Sequence, residues 1–313
     1  MNTYDTEAAH LVVTHSLAQT LRRWIPFPRT LPWSNLAWES ILSWPADRWH
    51  EFLRRPADSE WPWQTLLRQG SVNPQGLGEQ LAQLPLLRSL YHLIPYTSPE
   101  YPTHLRAIPD APALLFARGE GSLLQRPMVA IVGSRQGSAT ALEESMGLAK
   151  KFATSGLCVV SGGAIGCDAM AHWGALNSLV RPAPTIVVLA GGIDQLYPRA
   201  NNDLFCEILN LGGLFISERW PGSPCLPRDF PIRNRLISGL CRVVVVMQAA
   251  RRSGALITAR LALDQGRDVW VFKHPAHDLR ANGSEELIQD GALAFGAGFG
   301  QPSYHHIQHP GEA

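Results

Sequence analysis

The sequence predicts an α/β fold: a doubly wound, mostly parallel sheet, with a small helical domain at the N-terminus. Three observations predict it. Apolar, β-branched runs recur at 128–132 (MVAIV), 157–160 (LCVV), 185–189 (TIVVL), 213–217 (GLFIS), 242–247 (RVVVVM) and 268–272 (DVWVF). Amphipathic patterns at helical spacing fill the intervals, at 139–155, 166–178, 201–211, 232–239 and 254–266. Continuous apolar strands separated by helices are what a parallel sheet covered on both faces requires. Third, the composition shifts along the chain, with seven of the ten Trp inside residues 24–63. Their segments have helical spacing and are punctuated by Pro45, Pro56 and Pro62. Residues 1–90 therefore read as a helical domain stapled by Trp, its indoles packing a core rather than stacking bases. A Pro-spaced connector, 96–119, opens the α/β domain, which is assigned to 96–295. A tail, 296–313, follows.

Of the 313 residues, 45 % are hydrophobic and 17 % charged, an ordinary globular balance. No apolar run approaches the ~20 residues of a membrane span. No basic region precedes the short apolar run at 11–13, so a secretory signal is not expected. Five cysteines without a Cys-x-x-Cys pair suit reduced thiols, and a cytoplasmic protein is expected. Net charge is only +1, but its distribution is uneven. The basic residues are 24 Arg and 3 Lys, and 228–267 holds eight Arg against two Asp. Guanidinium suits bidentate phosphate contact and stacking on bases. A solvated surface with distributed ion pairs would give the same count, so charge alone does not decide.

In such a sheet, ligands sit beyond the carboxyl ends of the strands, which makes the residues after each run the candidates. The first run ends in Gly133, Ser134 and Arg135. Together they offer a close backbone approach, a hydroxyl and a charge ahead of a helix N-terminus. The second ends in a turn with Gly162, Gly163 and Gly166, followed by Asp168 and His172 at i, i+4. That pair could hold a metal or move protons; the commoner reading is a capping Asp and a packed imidazole. The third ends in Gly191 and Gly192. Ser217 and Glu218 end the fourth. Paired small residues beside polar groups in successive turns favour a concave anion site. Pro231 then suggests a helix whose first turn carries Arg233, Asn234 and Arg235. Cations are unfavourable at a helix N-terminus unless an anion occupies it. Ser253 and Gly254 open the next helix.

These strings, IVGSR (131–135), SGGAIGCDAMAHWGAL (161–176), LAGGIDQLYPRANNDL (189–204), ISE (216–218), FPIRNRLISGL (230–240) and SGALITA (253–259), occur in the order and spacing of a known family. Over roughly 200 residues the chain resembles the DNA-processing protein A (DprA, or Smf) family, and the connector at 101–119 resembles the segment before that family's fold. The resemblance does not extend before about residue 90. It implies a Rossmann-like domain that binds single-stranded DNA in a basic pocket, without catalysis and without a cofactor or metal. It further implies a homodimer that helps load the RecA recombinase in natural transformation. Carried onto this chain, Gly133, Ser134, Arg135, Arg233, Asn234 and Arg235 would lie at the pocket, and the turns at 162–166 and 191–192 would let the strand pass.

The chain also departs from that pattern. Ile165 stands where the family usually has Arg, Cys167 where it has a branched aliphatic, and Gln248 where it has Glu. Lys273-His274-Pro275 replaces a small Pro-Gly turn. The winged-helix extension of some members is not expected, and His305, His306 and His309 read as tail rather than metal ligands. Two other functions compete. A nucleotide sensor or phosphoribohydrolase of the LOG type would need a Pro-Gly-Gly-x-Gly-Thr-x-x-Glu string, which the sequence lacks. A scaffold in a multiprotein DNA-processing or defence system would fit the missing Arg and the unusual N-terminal region.

Overall fold

The structure, a computed structural model, describes residues 86–96, 98–112, 114–275 and 278–296, together with Gln83. The Trp-rich segment expected to form a helical domain, apart from Gln83 and residues 86–90, and nearly all of the tail, with its three His, lie outside the described residues. The chain divides into two compact units, 1–97 with 109–114, and 98–108 with 115–313. In the first, residues 86–90 are helical and β1 (His92–Pro95) follows.

The second unit holds a sheet in the order β2 (Leu114–Gly119), β6 (Leu214–Ser217), β5 (Thr185–Val188), β4 (Cys158–Ser161), β3 (Met128–Val132), β7 (Val243–Val246), β8 (Asp268–Phe272), β9 (Leu293–Phe295). β2 runs antiparallel to β6, and the remaining neighbours are parallel. All six predicted strands form, within a residue or so of their sequence bounds. β2 and β9 went unread: the first lies inside the segment taken as a Pro-spaced connector, and the second has three residues. β2 is nonetheless a strand because Leu114–Ala117 are fully buried, an apolar run that the neighbouring prolines disguise.

Helices α1 (Thr103–Arg106), α2 (Ala139–Thr154), α3 (Cys167–Leu176), α4 (Asn202–Asn210), α5 (Asp229–Leu240), α6 (Gly254–Asp264) and α7 (Asn282–Gln289) complete the unit. Period-2 alternation splits the central strand between two layers. Val129 and Ile131 join Val159, Val243, Val245 and Trp270 under Leu148 and Phe152 of α2 and Ala171 of α3. α2 and α3 approach so closely that a Cβ on Gly174 would lie 2.2 Å from the Met146 carbonyl oxygen. α5 packs over β3, β4 and β5, and α6 over β7 and β8. α1 crosses α5 at Gly239, whose missing side chain leaves room for Leu105 and Ile108.

One feature of this topology positions the site. Strands added in sequence run outward from β3 to β6, and α5 then carries the chain back across to β7 on the other side of β3. The switch point thus lies between β3 and β7, and a crevice opens there beyond their carboxyl ends. The core beneath that crevice carries the stability. Phe152 is fully buried, and Phe152→Ala is expected to cost about 3–5 kcal/mol, read as a lower urea midpoint with an unchanged m-value.

Candidate nucleic-acid interface

A cleft of about 560 Å³ occupies the switch point. Its walls are the loop after β3 (Gly133–Gln136), the turn after β4 (Ala164, Ile165, Asp168), α5 (Phe230, Arg233, Asn234, Ile237) and the entrance to α6 (Ala250, Arg252, Ser253, Gly254). Of the residues predicted from sequence, Gly133, Ser134, Arg135, Arg233, Asn234, Ser253 and Gly254 line it. Arg252, exposed on the rim, was not anticipated, although it lies just beyond a strand end, where candidates were sought.

The arginines play different parts. Arg135 is exposed, and its guanidinium lies over the Phe230 ring, 5.5 Å from the centroid. Arg233 is buried, on the cleft floor, with its Cζ 5.9 Å from the same centroid. Its Nη1 donates to Gly162 O at 2.9 Å and also to Val188 O. Burial lowers its pKa to about 10, which still leaves it a cation at neutral pH. Arg235 does not line the cleft. It is 4 % exposed and pairs with Glu218 at 2.5 Å. α5 begins at Asp229, three residues before its predicted start. Arg233, Asn234 and Arg235 therefore sit in the second turn, one turn beyond the free N–H groups of the helix N-terminus where the sequence pattern places them.

The glycines also work differently from expectation. A Cβ on Gly162 would lie 2.6 Å from Arg233 Nη2, and one on Gly133 2.7 Å from Cys167 Sγ. On Gly166, at φ +84°, it would meet Ser134 O at 2.3 Å. Gly163 faces Phe205 and Val187, while Gly191 and Gly192 lie against 220–225, away from the cleft. Protein, not ligand, fills these spaces, so the two turns interlock on each other. Gly254 alone among the predicted glycines has open space around its Cβ position. Cys167 fits the same logic: buried under Gly133, its backbone N–H donates to Ser134 O at 3.2 Å.

Polar groups fix the remaining walls. Ser134 Oγ accepts from Gln136 N, and Ser253 Oγ caps α6 by accepting from Leu256 N. Asn201 Nδ2 donates to Gly163 O at 2.9 Å. Asp168 does not cap its own helix; its Oδ2 accepts from Gly162 N at 3.2 Å and Ala164 N at 3.4 Å. Burial raises its pKa, against the charge of Arg233 and these amides. Ile165 is 42 % exposed and faces the cleft rather than packing beneath the turn. His172 is a packed imidazole. Thr185 Oγ1 donates to Val159 O, so it accepts the Nδ1–H of His172 at 2.7 Å. Among the described residues no group of three or more His, Cys, Asp or Glu could hold a metal, and no helix is long and apolar enough to cross a membrane.

An open, cation-rimmed cleft at the switch point of a doubly wound sheet defines the class: a Rossmann-like protein whose cleft has the charge to suit an anion. Comparison with known proteins narrows the class. The model of the family described as DNA recombination-mediator protein A matches residues 92–298, and the chain belongs to that family. The DNA processing protein DprA of Streptococcus pneumoniae is 43 % identical over 196 residues, covering 61 % of this chain and 66 % of the relative. Its X-ray structure superposes with a TM-score of 0.69 at 29 % identity, over 94 % of this chain and 95 % of that one. DNA processing protein A of Helicobacter pylori, whose structure is described by its single-stranded DNA binding mode, gives 0.59 at 29 % identity. It covers 70 % of this chain and 92 % of that one. The chain spans about half to two thirds of the length of the curated relatives it matches.

His172 gives the unit a pH dependence. Burial, with the charge of Arg233, lowers its pKa from 6.5 to about 3. Below 6.5 the unfolded chain takes up a proton that the folded one refuses. This contribution to stability is complete above 6.5 and lost progressively as pH falls towards 3. His172→Gln keeps a donor for Thr185 but cannot titrate. Urea titrations between about pH 4 and 6 should give it a shallower stability slope, by up to about 1.4 kcal/mol per pH unit. Equal slopes would mean that the native imidazole is protonated.

Proposed function

We propose that this chain binds single-stranded DNA in the cleft, without catalysing a reaction on it. As a cytoplasmic homodimer it would protect the strand and help load a RecA-type recombinase during DNA uptake. The observation that carries the reading is the partly buried Phe230 ring flanked by the guanidinium groups of Arg135 and Arg233, with Arg252 on the same rim. An aromatic face among cations suits stacked bases and their phosphates, whatever the sequence. Membership of a recombination-mediator family and the single-stranded DNA named for the Helicobacter pylori relative support the same reading. The cleft's acidic residue, Asp168, is tied to two backbone amides, which suits a role in shaping the floor rather than in proton transfer.

Fluorescence anisotropy with labelled oligo-dT across a salt series tests this. The logarithm of affinity should fall with the logarithm of salt by about 0.7 per phosphate contact. Tighter binding of duplex, or of a free mononucleotide, would overturn the proposal. Arg135→Ala and Arg252→Ala should each weaken binding by about 1.5–3 kcal/mol with unchanged melting temperature. Arg235→Ala should instead destabilise the fold, because it deletes a buried guanidinium and its short ion pair with the buried Glu218.

Ile165 offers a gain-of-function test. It faces the cleft and is partly solvated, so Ile165→Arg should steepen the salt slope by about 0.7 and tighten binding without lowering the melting temperature. A lower melting temperature with no gain in affinity would show that the isoleucine is needed for packing.

A further inference from the structure

Ser138 N-caps α2, its Oγ accepting from Ala141 N at 3.2 Å. It also ends the loop that carries Ser134 and Arg135 into the cleft. Its backbone N–H donates to Gln248 Oε1 at 2.9 Å, across 110 residues of sequence. Gln248 is fully buried just beyond β7. Its Nε2 donates to Asp278 Oδ2 at 2.6 Å, with Ser138 Oγ at 3.4 Å. The two ends of the amide are thus distinguished: an N–H must be met by oxygen on one side, and a carboxylate by N–H on the other. Arg280 holds the opposite oxygen of Asp278 at 3.0 Å, and His274 Nδ1 lies 4.0 Å from Oδ2. Burial pushes the Asp278 carboxyl up, but its hydrogen bonds and the charges of Arg280 and His274 outweigh this and hold it below its usual value. It is an acceptor only.

We propose that Gln248 is a positioning residue for the cleft: it clamps the loop bearing Arg135 to the segment after β8, with Asp278 orienting its amide. The clamp explains a combination of residues that would otherwise look arbitrary. A carboxylate at 248 would accept from Ser138 equally well, but it would set oxygen against oxygen at Asp278. Gln at 248 and Asp at 278 therefore form one unit, and exchanging their chemistries should preserve it. Gln248 touches no ligand on this account. It acts on binding through Arg135, so the functional half of the proposal rests on the cleft's binding single-stranded DNA.

The test uses the full chain, labelled oligo-dT and a thermal melt on each sample. Gln248→Met removes the hydrogen bonds without adding charge. It should weaken oligo-dT binding about ten-fold, the scale of one lost charge-assisted contact, and lower the salt slope as Arg135→Ala does. Adding Arg135→Ala to it should cost little more, because the two changes remove the same contact. Gln248→Glu alone should lower the melting temperature and the affinity. Gln248→Glu with Asp278→Asn, which keeps the net charge, should restore both to within about two-fold of wild type. Simple addition of the Gln248→Met and Arg135→Ala losses would overturn the positioning role. Failure of the exchanged pair to recover its melting temperature would overturn the clamp. If the unaltered chain does not bind oligo-dT, the functional reading falls, and the melts still judge the clamp.

Discussion

A single buried guanidinium organises the site. Arg233 reaches from α5 beneath the cleft and donates to carbonyls beyond β4 and at the end of β5. Its charge is offset by Asp168, whose own carboxylate ties down the turn after β4. Its Nε faces Asn234 Oδ1 at 3.3 Å, and Asn234 Nδ2 reaches Gly254 O at the start of α6. Arg233 thus joins two strand ends to α5, and through Asn234 the link extends to α6. A buried cation is tolerated only when such partners surround it. Gly162 must be glycine because this guanidinium occupies the place of a side chain there.

The strands and helices were legible because burial on both faces writes an unmistakable pattern into the sequence. Runs such as 243–246, four consecutive valines, have no other reading in a chain with helical segments on either side. β2 was hidden by prolines that end before the strand begins. The site was half legible. Gly133, Ser134 and Arg135 followed from the rule that strand ends carry ligands, and the same rule, applied to 247–253, reaches Arg252. Arg235 misled because its burial depends on Glu218, a partner at another strand's end that no local pattern announces. The Gly-rich turns follow their strands as the sequence predicts, but the space beside their glycines is taken by neighbouring protein atoms, and Gly191 and Gly192 lie away from the cleft. Sequence shows that a side chain is missing, and only packing shows what fills its place.

The departures from the family pattern behave unequally. Ile165 presents an apolar group to the cleft, so Arg135 and Arg252 carry the exposed positive charge of its lining. Gln248 and Cys167 change no surface charge. Both are buried, and both meet neighbours that suit them, Asp278 for the amide and Gly133 for the thiol. A surface substitution alters what a ligand meets, whereas a buried one alters what the scaffold must supply.

The four walls of the cleft come from positions near 133, 165, 230 and 252, brought together only when the sheet is complete on both sides of β3. No fragment of the domain contains the whole opening, so a partly assembled chain has nothing to offer an occupant. Occupancy and assembly are therefore thermodynamically linked. Any molecule held there draws the folding equilibrium toward the native side in proportion to the logarithm of its concentration over its dissociation constant. The occupant acts as a keystone: last to enter the arch, and a brace for every stone beneath it.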